Sequence, residues 1–272
     1  MNLTDTHCHI HEALGTVQLG TETKAKYEKA GSPSPDDMVT AALANDVTCM
    51  ICVGTTLEDS EVAVDFVKER NAVWASIGLH PHEAKVYAGN DKALKKFASL
   101  VNKPRVVAIG ECGLDYYYNH SLQADQEAVL RFQIELALEH DLALIFHVRD
   151  AFEDFWPIFD DYKGIRGIIH SFSAGPKELD QILERDLYVG LNGIMTFTSK
   201  DDQLAAAKSI PASRLVLETD APFLTPTPYR GKICEPKHVR VTAEFLAQLR
   251  DESLEEIARY TTENAQTVFR LR

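Results

Sequence analysis

Side chains that bind divalent cations recur in five short segments of this 272-residue chain, each at or just after the end of an apolar, β-branched run. Imidazole nitrogens and carboxylate oxygens are common metal ligands in hydrolases. If each run is a strand of one parallel barrel, these side chains converge at one mouth, which predicts a metal-dependent hydrolase. The segments are Asp5-Thr6-His7-Cys8-His9, Gly110-Glu111-Cys112-Gly113, Ile145-Phe146-His147, Ile168-Ile169-His170 and Glu218-Thr219-Asp220.

The first two segments offer ligands for one cation and a bridge to another. His7 and His9 are two residues apart at the end of the first predicted strand, so both imidazoles point to the same side, the barrel interior. Glu111 follows the apolar run 105–110. Because a carboxylate has two oxygens, Glu111 can bridge two cations, which a histidine cannot do.

The remaining segments supply a second ion and a base. His147 and His170 end the fifth and sixth predicted strands and offer neutral nitrogens to a second cation. Asp220 follows the eighth and is placed to bind the first cation and to take a proton from an attacking water. Two cations about 3.5–4 Å apart lower the pKa of that water and hold both the attacking and the leaving oxygens of a phosphoryl displacement.

Apolar runs alternate with amphipathic stretches along the whole chain, which predicts an α/β protein of the (β/α)8 TIM-barrel class. We expect one domain spanning residues 1–272, with a last pair of closing helices at Leu254–Ala258 and Glu263–Phe269. The predicted strands are 2–6, 47–53, 72–78, 105–110, 142–147, 166–170, 186–191 and 214–218. The predicted helices are 36–45, 58–70, 91–102, 121–140, 150–161, 176–185, 200–208 and 236–250.

The connection 12–35 is longer than most βα loops and carries Lys24, Lys26 and Lys29 before a segment rich in proline. One interpretation is a solvated helical turn with a proline-rich connector. The other is a lid over the carboxyl ends of the strands, whose lysines meet substrate phosphates.

Composition restricts the functional classes. The chain is 45% hydrophobic and 25% charged, as in globular proteins, and no segment is apolar for the length of a membrane span. The start of the sequence lacks the features of a secretory signal, so we expect a cytoplasmic protein. We expect no membrane association and no obligate protein partner. The net charge of −13 argues against sequence-blind binding of duplex tracts and favours short or single-stranded ends, without excluding a nuclease.

The five cysteines are expected to be reduced thiols, mostly buried. Cys49 and Cys52 form a CxxC pattern inside a predicted strand. Residues three apart on a strand face opposite sides, so we do not expect a redox pair there.

Motifs in order along nearly the whole chain resemble those of the TatD family of metal-dependent deoxyribonucleases, within the amidohydrolase-like barrel superfamily. The matching stretches are DTHCHI at the start, IGLHPHEA at 77–84, IGECGLDYYY at 109–118, FHVRDA at 146–151, IIHSFSAG at 168–175, LETDAPFL at 217–224, PYRGK at 228–232 and TENAQTVF at 262–269.

The resemblance implies a barrel with a dinuclear site and hydrolysis of phosphodiester bonds. One ion would be held by His7, His9, Glu111 and Asp220, and the other by Glu111, His147 and His170. The implied activity is a 3′–5′ exonuclease on single-stranded or frayed DNA, with RNA as a further substrate. It is typically dependent on Mg, although the ligand set also suits Zn, Mn, Fe or Ni.

The chain departs from the family pattern at two places. Cys234 stands where the family has an asparagine in RGKxNxP, and a thiol is a poor substitute for an amide in hydrogen bonding. The first loop is also longer than usual for the family, which leaves the size of the substrate open.

Five further residues are candidates for substrate binding: His80, His82, Arg149, Arg230 and Lys232. The two histidines end the third strand and either face the substrate or make structural hydrogen bonds. Arg149 either meets a phosphate oxygen or neutralises nearby carboxylates. Arg230 and Lys232 follow the eighth strand, where barrels often bind phosphate, and are otherwise surface charges.

Four aromatic residues after strand ends either stack bases or pack loops: Tyr116, Phe172, Phe223 and Tyr229.

Other functions share parts of this pattern. A dinuclear amidohydrolase or esterase could attack a carbonyl of a small molecule with the same activated water. Many such enzymes bridge their metals with a carboxylated lysine at strand four, where this chain has Glu111. A phosphoesterase of the polymerase-and-histidinol-phosphatase type also begins with HxH but normally ends with Asp-x-His, whereas Asp220 is followed by Ala221 and Pro222. A metal-loaded scaffold without turnover would keep the same ligands.

Overall fold

The computed structural model describes residues 1–16 and 21–271, without the side chains of Thr21 and Glu22. Within these residues the chain has eight strands, which form a sheet in the order β1 to β8. The strands are β1 Leu3–Cys8, β2 Val47–Val53, β3 Val73–Ile77, β4 Val106–Asp115, β5 Ala143–Arg149, β6 Gly167–Ile169, β7 Tyr188–Leu191 and β8 Leu215–Leu217.

Helices alternate with the strands along the described residues. They are α1 Thr21–Lys29, α2 Pro35–Leu43, α3 Leu57–Val67, α4 Ala84–Tyr87, α5 Asp91–Ala98, α6 Gln123–Glu139, α7 Phe152–Asp160, α8 Pro176–Leu183, α9 Asp201–Ser209, α10 Val239–Arg250 and α11 Leu254–Phe269. Parallel strands in sequence order with helices between them define the (β/α)8 barrel class, so the predicted fold is confirmed.

The chain divides into two compact units. The first unit is Met1–Cys52 with Ser171–Arg272. In it β1 pairs in parallel with β2, from Leu3 opposite Val47 to Cys8 opposite Cys52. β7 pairs in parallel with β8, and a further bridge joins Cys8 to Ala221 just after β8. The exits of β1 and β8 therefore lie side by side.

The second unit, Val53–His170, contains β3 to β6. Its central strand β4 is ten residues long and pairs with β5 from Ala108 opposite Ala143 to Asp115 opposite Arg149. All but the first residue of β4 are buried, as expected for a parallel strand covered on both faces. All three strand pairs in this unit, β3 with β4, β4 with β5 and β5 with β6, are parallel and have defined registers. The single-domain prediction stays a prediction.

Two details of the predicted elements are wrong. Glu111 lies inside β4 instead of following it, and His147 lies inside β5 instead of ending it, because both strands continue past the apolar runs. The predicted closing helices are one helix, α11, which begins with a capping box between Ser253 and Glu256. The Thr261 hydroxyl donates to the Ile257 carbonyl, so this polar residue is satisfied inside the helix instead of ending it.

The long connection after β1 contains a 3-10 helix, Ile10–Leu14, and then α1. Residues 17–20 of the predicted lid lie outside the described residues. Lys24 forms an exposed ion pair with Glu28, and the Lys26 ammonium lies 5.1 Å from the Phe223 ring centre. Contact of these lysines with substrate stays a prediction. In the described part of the chain, no helix has the length and apolar character required to cross a membrane.

Candidate metal centre

The first unit brings together His7, His9 and Asp220, here called the His7 cluster. The His7 and His9 Nε2 atoms are 3.1 Å apart, and they lie 3.7 and 3.4 Å from Asp220 Oδ1. The side chain of His7 is fully buried, and that of Asp220 is 17% exposed. Three ligand atoms therefore face one point from the exits of β1 and β8.

These separations fit a shared cation. Two neighbouring nitrogens bound to one Zn-sized ion at about 2.0–2.1 Å, in octahedral or tetrahedral geometry, lie roughly 2.8–3.4 Å apart. The two imidazoles are at that spacing, and Asp220 is at or slightly beyond it. The donor set of two nitrogens and a carboxylate oxygen suits a borderline or hard divalent cation.

A buried carboxylate holds the two strand exits in register. Asp5 Oδ1 accepts from the backbone N–H groups of Thr219 at 2.9 Å and His7 at 3.3 Å, and its Oδ2 accepts from the Thr219 hydroxyl at 2.6 Å. Burial raises the pKa of Asp5 well above its usual value, although these hydrogen bonds act in the opposite direction. Asp5 is thus an anchor for β1 and the segment after β8.

Glu218, in the same sequence motif as Asp220, is also an anchor. It is buried and its Oε1 accepts from the backbone N–H of Ser171 at 2.6 Å and from the Asn192 amide at 3.2 Å. Its motif neighbour Asp220 is therefore the carboxylate left for a ligand role.

The second unit surrounds Glu111 with imidazoles, and these residues are here called the Glu111 cluster. Glu111 Oε1 lies 2.6 Å from His147 Nδ1, 3.5 Å from His80 Nε2 and 3.8 Å from His170 Nε2. His80, Glu111 and His147 each present a ligand atom within 4.8 Å of the other two. His80, predicted as a substrate contact, thus stands at ligand distance beside the predicted ligands.

His147 lies between two carboxylates. Its Nδ1 faces Glu111, and its Nε2 lies 2.9 Å from Asp115 Oδ2. Burial opposes protonation, but the hydrogen bonds to Asp115 and Glu111 outweigh it and raise the pKa of His147 to about 9. A cation that binds His147 Nδ1 must therefore displace a proton from that nitrogen, while the Nε2–H group keeps its hydrogen bond to Asp115.

Asp115 is a residue of this cluster's surroundings that the sequence reasoning missed. It is buried; Oδ2 also lies 3.0 Å from His82 Nε2, and Oδ1 accepts from the backbone N–H groups of Tyr117 and Tyr118. Burial raises its pKa, but the hydrogen bonds to His147 and His82 prevail and hold the pKa well below its usual range. Period-two spacing from Glu111 along the same strand is the signal that could have found it.

Replacing Asp115 by asparagine is expected to weaken divalent-cation binding by about 10- to 100-fold, the usual cost of losing a carboxylate behind a metal-binding histidine. The amide presents a donor where His147 needs an acceptor for Nε2–H, so the ring is no longer held with Nδ1 towards Glu111. Calorimetric titration of the metal-free protein with Mn²⁺ measures the change.

The matched control is Asp161→Asn, because Asp161 is exposed and forms an ion pair with Arg131 at 2.8 Å. Affinity equal to that of the wild type in the Asp115 variant would show that this carboxylate serves only the turn at Tyr117 and Tyr118.

Gly113 is required where β4 passes β5. Its φ is +149°, and a Cβ there would overlap the His147 carbonyl. We expect Gly113→Ala to reduce the free energy of unfolding by about 3 kcal/mol, from backbone strain and overpacking together. Urea denaturation measures it. Gly89→Ala is the control, because Gly89 also has positive φ, +71°, but nothing lies within 4 Å of its Cβ position; equal losses would rule out the contact with His147.

Three of the other predicted substrate residues contact aromatic rings. Arg149 is exposed, and its guanidinium covers the rings of Tyr117 and Tyr118. The Arg230 guanidinium donates to the Thr225 carbonyl at 2.8 Å and lies 3.8 Å from the Phe197 ring centre. Lys232 is exposed beside Tyr229. Their phosphate contacts, like the substrate role of His82, stay predictions.

The cysteines are free thiols. Cys52 is buried and Cys49 is partly exposed, as expected for residues three apart on β2. Cys234 is buried, and its backbone N–H donates to the Pro222 carbonyl at 3.2 Å. A backbone hydrogen bond therefore holds the loop at the position where the family has asparagine.

Comparison with known proteins identifies the family. A family model described as "TatD related DNase" matches residues 4–270. The chain belongs to the TatD-related DNase family. Within this family, the chain is 36% identical over 271 residues to the uncharacterized metal-dependent hydrolase YabD of Bacillus subtilis, with 99% of each chain covered. As a TatD-family protein it is a metal-dependent hydrolase.

Another TatD relative has a more specific name. The chain is 38% identical over 194 residues to the 3′-5′ ssDNA/RNA exonuclease TatD of Cronobacter sakazakii, covering 70% of this chain and 73% of that protein. Among solved structures, the TatD homologue YJJV of Escherichia coli superposes with a TM-score of 0.83 at 23% identity, covering 99% of this chain and 98% of that one. That likeness supports the barrel fold.

Proposed function

We propose that this TatD-family hydrolase is a divalent-metal-dependent nuclease that shortens single-stranded or frayed DNA from the 3′ end, with RNA as a further substrate. The observation that carries the proposal is the pair of clusters, each with imidazole and carboxylate atoms at or near the spacing of shared metal ligands. The name of the Cronobacter relative supports the choice of nucleic acid as substrate.

The proposed ligand sets are those of the sequence analysis. His7, His9 and Asp220 would hold one cation, and His147 and His170 would hold the other, with Glu111 as a ligand for both. Mg²⁺ is the proposed ion in function, and Zn²⁺, Mn²⁺, Fe²⁺ or Ni²⁺ also suit mixed nitrogen and oxygen ligands. Bound cations supply an acidified water and charge neutralisation at the phosphate.

The chain's own residues supply the rest of the reaction. Asp220, the most exposed member of the His7 cluster, accepts the proton of the attacking water. Arg230 and Lys232 are exposed cations after β8 that bind phosphate oxygens on either side of the scissile bond. They give local positive potential to a chain with a net charge of −13.

An experiment on the purified protein tests the proposal. Metal-free protein is incubated with 5′-labelled single-stranded DNA or RNA in the presence of Mg²⁺, Mn²⁺ or Zn²⁺. A separate control sample contains excess chelator instead of a cation. A ladder that shortens from the 3′ end only when a cation is present is the expected result. The same samples are assayed on amide, lactone and carboxyl-ester substrates.

The outcomes separate the candidate functions. Turnover only on carbonyl substrates would identify an amidohydrolase or esterase and overturn the nuclease proposal. Cation binding without turnover on any substrate would identify a scaffold.

A further inference from the structure

Two large aromatic side chains are unusually exposed directly after β4. Tyr117 is 59% exposed and Tyr118 is 50% exposed. With His120 and Arg149 they form a surface here called the tyrosine platform. Tyr116, the predicted stacking residue in this segment, is partly buried, and Phe172 is buried.

The platform is held by contacts between its own members. The Arg149 guanidinium lies 4.3 Å from the centre of the Tyr117 ring and 4.8 Å from that of Tyr118. The His120 ring stacks on Tyr118 with the ring centres 5.6 Å apart and the planes 5° from parallel. The rings are thus ordered as flat surfaces while about half of their area stays accessible.

The platform is continuous with the Glu111 cluster. The Asp115 carboxylate accepts from the backbone N–H groups of Tyr117 and Tyr118 and from His147 Nε2. The His82 ring centre lies 5.5 Å from that of Tyr118 and 6.3 Å from that of His147. One imidazole therefore separates the platform from a proposed metal ligand.

We propose that the tyrosine platform binds the bases of a single-stranded nucleic acid by stacking, next to the phosphate that is hydrolysed. This inference rests on the proposed nuclease function and adds where the substrate's bases lie. Aromatic rings and guanidinium planes stack on any base, so recognition is independent of sequence, and paired bases in a duplex hide the faces that it needs.

Charge at the platform favours the same ligand. Arg149 is a cation within the stack, and the Lys85 ammonium at its edge donates to the His120 carbonyl at 3.1 Å. Flat aromatic faces bordered by cations match a chain of bases joined by phosphates.

The test combines a platform variant with substrates that lack bases. Steady-state kinetics are measured for the wild type and Tyr117→Ala/Tyr118→Ala on single-stranded oligothymidylate and on the same strand with abasic tetrahydrofuran residues at its 3′ end. We expect the variant to raise KM for oligothymidylate by about tenfold or more, the range for loss of stacking on one or two bases, with a much smaller change in kcat. On the abasic strand the wild type and the variant should have the same KM.

Three controls isolate stacking. Tyr117→Phe/Tyr118→Phe keeps the rings and should restore the KM of the wild type. Tyr162→Ala removes a tyrosine beyond the end of α7, where its hydroxyl donates to Glu135, and should leave the kinetics unchanged. Mn²⁺ affinity in the double alanine variant shows whether the Glu111 cluster is intact.

Each result decides between the two proposals. If the wild type cleaves DNA and the alanine variant has the same KM for oligothymidylate, the platform proposal is overturned and the nuclease proposal stands. The same holds if the variant raises KM equally for abasic and base-bearing strands. Absence of cleavage of any nucleic acid by the metal-loaded wild type overturns both.

Discussion

Replacing Glu111 by glutamine is expected to reduce turnover by about a thousandfold or more, because several kcal/mol of transition-state stabilisation come from bound cations and each 1.4 kcal/mol is a factor of ten. Three imidazole nitrogens lie within 3.8 Å of one oxygen of Glu111. An uncharged amide keeps the size of the side chain but not the negative charge or the second anionic oxygen needed to bridge two ions.

Two measurements separate a lost metal site from a lost fold. Kinetics on single-stranded DNA should show the fall in kcat, and Mn²⁺ titration should show weaker binding, while the urea midpoint stays close to that of the control variant. Glu135→Gln is the matched control, since Glu135 is exposed in the same unit and accepts from the Tyr162 hydroxyl at 2.9 Å. Turnover in Glu111→Gln within a few-fold of the wild type would remove Glu111 from the centre.

The strand exits could be predicted from the sequence because apolar β-branched runs are local signals. His7 and His9 two apart at the end of such a run already define one face, and the parallel order then fixes which ends carry ligands. The pairing of Cys8 with Cys52 and with Ala221 shows why Asp220 lies beside His9 although more than 200 residues separate them.

The length of β4 could not be predicted in the same way. Its second half is Glu111-Cys112-Gly113-Leu114-Asp115, which contains two carboxylates and a glycine and would read as a loop by propensity. Pairing with β5 as far as Arg149 overrides that preference. The role of Asp115 depends on the same pairing, because its partners His82 and His147 are more than 30 residues away in sequence.

The stacking of Arg149 on Tyr117 and Tyr118 is a third non-local feature. The sequence left Arg149 between a phosphate contact and neutralisation of carboxylates, and it left Tyr116 between base stacking and loop packing. Residue type alone does not show which of three consecutive tyrosines is exposed. Burial decides this. Tyr116 is partly buried, and the two residues after it face outward.

Asp220→Asn is expected to lower kcat by about 10²- to 10⁴-fold, the usual contribution of a general base. Asparagine keeps an oxygen that can face His7 and His9, and it tolerates the left-handed backbone of this position, where φ is +61°. The variant should therefore fold normally and bind Mn²⁺ with a smaller loss than Glu111→Gln, although it no longer accepts a proton.

The pH profile distinguishes a base from a ligand at this position. If Asp220 takes the proton of the attacking water, kcat/KM of the wild type rises with pH at the acidic end, and the rise flattens in the variant even when Mn²⁺ saturates the protein. If Asp220 only holds the cation, saturating Mn²⁺ restores both the rate and the slope. Asp251→Asn is the control for the substitution itself. Asp251 is exposed at the end of α10, and its φ of +56° places the same aspartate-to-asparagine change in the same backbone conformation. If saturating Mn²⁺ restores the rate of the variant, Asp220 is a metal ligand and another group is the base.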